Sequence, residues 1–155
     1  MDMKNHNNKS YYYLVAMTVL SFACMYILMY VMVDRFINVY PNLNQFYMAG
    51  LMTAPMIIIE VLLMRAMYGN KKRNIAIIVL SILVLIIFWV FIRQQFLIGD
   101  KQFLKSMIPH HAGAILMCEK ASIQNSEVKK LCENIKLSQQ NEINQMKDIL
   151  KRLED

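Results

Sequence analysis

Apolar positions run along this chain in two different ways. In the first 93 residues they are continuous. Residues 11–33 (YYYLVAMTVLSFACMYILMYVMV) carry no charge, residues 46–67 are apolar except for Pro55, Glu60 and the terminal Arg65, and residues 75–92 (IAIIVLSILVLIIFWVFI) are again uncharged. At about 1.5 Å per residue each run can cross a bilayer as a helix. The first is too long for a signal-peptide core and lacks a small-residue cleavage site, so it reads as a retained span.

Beyond Arg93 the apolar residues become striped. Gly99-Asp100 marks a break, with Asp100 as the expected N-cap. From Phe103 to Ala121 the spacing is helical, and Phe103, Met107, His110, His111, Ala114, Met117, Cys118 and Ala121 share an arc of roughly 120° at 100° per residue. Pro109 implies either a helix start or a kink that frees the Lys105 carbonyl. Asn125-Ser126 reads as a turn and N-cap. A second helix follows to about Leu153, striped by Val128, Leu131, Cys132, Ile135, Ile143, Met146, Ile149, Leu150 and Leu153, with Gln139 and Glu142 in mid-stripe. The expected architecture is all-α: a three-span membrane anchor in residues 1–93, then an antiparallel helical hairpin in residues 94–155.

Charge adds a direction. The chain carries +6 overall. Residues 1–93 hold eight basic against three acidic side chains, whereas residues 94–155 hold nine against eight. The basicity thus sits at the ends of apolar runs, which is a topology signal and argues against nucleic-acid binding. Lys71-Lys72-Arg73, with Lys4 and Lys9, places the loop between spans two and three in the cytoplasm. The third span then exits outward. The hairpin is then expected on the extracytoplasmic face, although Arg93, Lys101 and Lys105 run against that polarity.

The hairpin concentrates the candidate chemistry. About a turn centred near residue 124.5, His110 is level with Gln139 and Met107 with Glu142, while Met146 lies one turn (about 6 Å) further on. Polar groups on an apolar stripe are costly unless paired, with each other or through a metal. Thioether and imidazole donors suit copper, above all Cu(I); zinc, which prefers thiolate, imidazole and carboxylate, ranks second. A di-iron site would need Glu-x-x-His pairs, and the sequence has none. Methionine on such a stripe also serves as plain core filler. Nothing supplies a nucleophile, oxyanion donors or a substrate pocket, so an enzyme is not expected.

Phe103-x-x-x-Met107-Ile-Pro-His110-His111-x-x-Ala114-x-x-Met117 resembles the signature of a bacterial family catalogued as domain of unknown function number three hundred and five. Ile135-x-x-x-Gln139-x-x-Glu142-Ile143-x-x-Met146 resembles its second motif in order and spacing. The resemblance covers roughly residues 100–153. It implies a ferritin-like helical fold and copper binding linked to metal tolerance, with the hairpin on the periplasmic or extracellular face of a bacterial cytoplasmic (inner) membrane. Met107, His110, His111, Met117 and Met146 carry over as metal ligands, and Gln139 and Glu142 as supporting or structural positions. Many relatives contain more helices than this chain's single hairpin. Two hairpins would complete a four-helix bundle, so a homodimer is expected, with packing against the membrane as the alternative. Hand-over would be to a copper-handling partner protein. The competing reading is a non-metal membrane module whose hairpin dimerises or docks a partner.

Cys118 and Cys132 are nearly level on the two stripes. A disulfide, soft metal ligation and plain core packing all fit them. Cys24 reads as span core. Glu60, within span two beside Met48, Met52, Met56 and Met64, is either part of a cation path or a protonated or hydrogen-bonded side chain. His6 sits in a polar tail.

Overall fold

The computed structural model describes the backbone of residues 2–154 and the side chains of residues 9–154. Lys4 and His6 therefore lie outside the described side chains. The described chain is all-helical, without strands. Its helices are α1 (Asp2–Leu28), α2 (Leu43–Leu63), α3 (Lys71–Gln94), α4 (Asp100–Lys120) and α5 (Ser126–Glu154). Two single 3₁₀ turns, Met29–Met32 and Phe36–Asn38, fall between α1 and α2. Three segments, Lys9–Met32, Leu43–Leu63 and Lys71–Gln94, are long and apolar enough to cross a membrane. They match the expected spans within a few residues.

The chain forms two compact units. The first comprises residues 1–28 and 46–96. Its helices approach through small residues: Ala49, Gly50, Thr53 and Ala54 of α2 are buried, and a Cβ on Gly50 would overlap the Phe88 ring. Several hydroxyls find partners within the unit. Thr18 and Thr53 donate to the carbonyls four residues back, each at 2.8 Å, and Tyr47 Oη donates to the Phe96 carbonyl at 2.9 Å. Tyr11 Oη donates to Asn74 Oδ1 at 2.6 Å. Most large apolar side chains point outward, Leu63 being 77% exposed. α3 is capped by Asn70, whose side chain accepts from the Arg73 amide.

The second unit comprises residues 29–45 and 97–155. Leu104, Ile108, Ala112 and Ile115 of α4 form its core with Ile143, Met146 and Leu150 of α5. The contacts Lys105–Glu154, His111–Glu142 and Cys118–Cys132 show the two helices running past each other in opposite directions. Residues 29–45 pack with the α4–α5 pair. Val33 and Tyr40 lie against its core, and Gly113 lets α4 approach the Met32 carbonyl, which a Cβ there would meet at 3.4 Å.

That second contact rotates α4 relative to the expected stripe. The buried positions are Leu104, Ile108, His111, Ala112 and Ile115, together with Pro109 and Gly113. Phe103, His110 and Met117, expected inside, are exposed. Two local expectations also change. Gly99 is the N-cap of α4, and Asp100 occupies its first turn, where a carboxylate complements the helix dipole. Pro109 lies inside one continuous helix running from Asp100, so the helix does not start there.

Candidate functional site

Proline at position 109 has no amide to donate to the carbonyl four residues back, at Lys105. The structure supplies another donor: Asn42 Nδ2 reaches the Lys105 carbonyl at 3.3 Å. Asn42 is almost fully buried. Its Nδ2 also donates to the Tyr40 carbonyl and to Gln45 Oε1, and its Oδ1 accepts from the Gln45 amide at 3.0 Å and from Ser106 Oγ at 3.3 Å. Asn42 thus caps the start of α2 and satisfies the backbone gap of α4 with one side chain. Gln102 Oε1 accepts the Leu43 amide at 3.1 Å. Neighbouring Asn38, also buried, donates to Asp34 Oδ1 at 2.6 Å and accepts from Lys147 Nζ at 2.5 Å. Burial pushes the Lys147 ammonium below its usual range.

Just past the proline, His111 is the one buried histidine among the described residues. Its Nδ1 lies 2.9 Å from the Met107 carbonyl and its Nε2 lies 2.8 Å from Glu142 Oε2. Both ring nitrogens thus face oxygens. Glu142, partly exposed, accepts from Ser138 Oγ at 2.7 Å. That bond, and then the one from His111, hold its carboxyl below the usual carboxylate range.

The pairing sets the level of the site. His111, and not Met107, meets Glu142, a slip of one turn from the count about residue 124.5. The segment 121–125 is non-helical, so it does not divide the chain evenly, and the first two turns of α5 are exposed except for Cys132. Asn125 is the cap there, accepting from the Glu127 and Val128 amides at 2.8 and 3.1 Å. One turn from the His111–Glu142 pair, four residues back on α4 and four forward on α5, stand Met107 and Met146. Met146 is 9% exposed, and Met107 packs against the cluster that contains it.

The five expected ligands therefore divide. Met107, His111 and Met146 lie along the α4–α5 seam with Glu142. His110 and Met117 lie on the exposed side of α4, Met117 being 54% exposed, although the His110 and His111 ring centres are only 6.0 Å apart. Gln139 is half-buried one turn before Glu142. Among the described residues no group of three or more His, Cys, Asp or Glu side chains is placed to hold a metal. Any soft-metal site must therefore draw on thioethers. The seam offers two of these and an imidazole whose Nε2 points at a carboxylate, a donor set that fits Cu(I) better than zinc.

Cys118 and Cys132 are free, half-buried and within hydrogen-bonding reach of each other. Cys24 is exposed on α1 rather than core. Glu60 accepts from Tyr68 Oη at 3.2 Å, the hydrogen-bonded alternative for this residue. Met48, Met52 and Met64 face outward.

Sequence reasoning missed Asn38, Asn42, Gln102, Ser106 and Ser138. Two of these carried a signal. Asn42-x-x-Gln45 after Pro41 is a capping-box pattern, and Ser138 stands four residues before Glu142 on a helix.

Comparison with known proteins agrees with these motifs. The family described as "Domain of unknown function (DUF305)" matches residues 98–154, which is the α4–α5 pair. The chain is 41% identical over 111 residues to "Uncharacterized protein L153" of Acanthamoeba polyphaga mimivirus, covering 70% of this chain and 71% of that protein. That alignment is longer than the family match, so the likeness extends beyond the α4–α5 pair. No solved structure matches the chain. The motifs, the helix pair they occupy and the viral relative together place this chain in the DUF305 family.

Proposed function

We propose that this protein is a membrane-anchored copper-binding protein that captures Cu(I) at the α4–α5 seam, for buffering or hand-over to a partner in metal tolerance. The observation that carries the reading is the placement of Met107 and Met146 one turn from His111 and Glu142. A thioether pair beside an imidazole is a soft donor set in an otherwise apolar seam. His111 would bind through Nε2, and Glu142 would then exchange a hydrogen bond to the ring for charge compensation of the bound cation. A binding role, without catalysis, is sufficient for these residues.

The spans and the family resemblance support an arrangement in which the hairpin is half of a ferritin-like bundle on the extracytoplasmic side. Residues 29–45 belong to the same unit as the hairpin, which fits one side of the membrane for both. The exposed strip of Phe103, His110 and Met117 supports docking of a second copy, with His110 and Met117 as ligands completed by that copy.

One observation favours the competing reading of a non-metal interaction module: His111 is already satisfied by Met107 and Glu142. The two readings separate in a metal-free preparation of the full chain in detergent, titrated with Cu(I) under reduction. Capture predicts stoichiometric Cu(I) and its loss in the His110→Ala, His111→Ala, Met107→Ala triple variant. Unchanged stoichiometry in that variant overturns the assignment of the site. No uptake, with an unchanged melting temperature on Cu(I) addition, establishes the interaction module instead.

A further inference from the structure

The cysteines of the second unit stand apart from the seam donors. Cys118 lies seven residues beyond His111 on α4, and Cys132 ten residues before Glu142 on α5. Their side chains meet across the two helices close to the connecting segment, which is solvent-exposed over most of its length and so gives a small reagent access. Only 13 residues separate them in the chain.

We propose that Cys118 and Cys132 are a redox-active dithiol, converted by thiol–disulfide exchange into a disulfide that ties α4 to α5.

The surroundings of the pair select this over a soft-metal site. Among the described residues no third His, Cys, Asp or Glu gathers with them. The Lys136 ammonium supplies a positive charge near the pair.

The exchange balances with a small-molecule disulfide as oxidant. The Cys132 thiolate attacks one sulfur of that disulfide, whose S–S bond breaks, and the departing thiolate takes up the Cys132 proton. Cys118, after giving its proton to solvent, attacks the Cys132 sulfur of the mixed disulfide. The Cys118–Cys132 bond forms and a second small thiolate leaves and is protonated. Two cysteine thiols are oxidised and one disulfide is reduced to two thiols.

The test needs no metal and is independent of the copper reading. The full chain, purified in detergent under reduction and freed of reductant and metal, is incubated with oxidised glutathione. Remaining thiols are alkylated, and the protein is read by intact mass and peptide mapping. The expected result is loss of two of the three thiols and a Cys118–Cys132 linked peptide. No glutathione should be retained, the melting temperature should rise, and dithiothreitol should fully reverse the change. The Cys24→Ser variant should behave identically. Three alkylated thiols in excess oxidised glutathione, or a stable glutathione adduct on Cys132, overturns the proposal. So does protection of both thiols by Cu(I) alone with no disulfide on adding the oxidant, which would assign the pair to metal.

Discussion

The two units use the same residue types for opposite ends. In the first, Met48, Met52 and Met64 point outward among exposed leucines, and the groups that need partners turn inward, as Thr18, Thr53 and Tyr11 do. In the second, Met146 is buried beside a histidine–glutamate pair, and the apolar residues that hold the unit together are inside. Of 14 methionines in the chain, 11 precede Arg93 and three follow it. Richness in methionine is therefore mostly a property of the half that carries the span-length helices, and the case for soft-metal chemistry rests on the few placed near His111.

The largest expected effect tests where apolar burial matters. Ile143 is fully buried between α4 and α5, and Ile143→Ala should cost about 3 kcal/mol of unit stability, read as a lowered melting temperature. Leu63→Ala removes more exposed surface in the first unit, yet it should shift stability by no more than about 0.5 kcal/mol in detergent, because an outward leucine exchanges one apolar contact for another. Equal losses would break the contrast between the units.

Close approach gives the next effect. Gly50→Ala should cost about 1–3 kcal/mol, since its Cβ meets the Phe88 ring and the three-helix packing must shift. A melting temperature unchanged from the parent would mean that the ring moves freely. Asn42→Leu should cost a comparable or smaller amount, about 1–3 kcal/mol, by leaving the Lys105 carbonyl and the Gln45 amide without their donor and acceptor. Hydrogen exchange should then quicken at the starts of α2 and α4 and not along α3.

The smallest effect is electrostatic. The folded-state pKa of Glu142 lies below its unfolded value, first through Ser138 and then through His111, so the folded state binds fewer protons there. The stabilisation is present above the ordinary carboxyl value of about 4.3 and is lost as pH falls through the lowered folded value. Glu142→Gln should lower stability at neutral pH and flatten the acid limb of the unfolding curve below about pH 4, because the carboxylate's contribution is then absent at every pH. An acid limb identical to that of the parent would remove Glu142 from the account.

Much of this was legible along the chain. Uncharged runs mark the three span-length helices, and the two motifs mark the α4–α5 pair, because hydropathy and helical spacing are local properties. What escaped was non-local. The stripe on α4 is turned because residues 29–45 pack on it from a second side, Met32 at Gly113 and Val33 and Tyr40 against the core that holds Ala112, in a segment whose asparagines read as exposed loop. Asn38 and Asn42 are buried because Lys147, Asp34, Ser106 and the Lys105 carbonyl satisfy them. The level of His111 slipped by one turn because a non-helical connection does not divide the chain symmetrically. Pairing a histidine with Glu142 was within reach of the sequence; choosing His111 over His110 required that register.

The central claim is that copper chemistry belongs to the three seam residues and not to the methionine-rich spans. Cu(I) titration of two triple variants of the full chain tests it most directly. Met107→Ala, His111→Ala, Met146→Ala should abolish the Cu(I) equivalent bound by the parent, whereas Met48→Leu, Met52→Leu, Met64→Leu should retain it. Retention in the first variant, or loss in the second, contradicts the account.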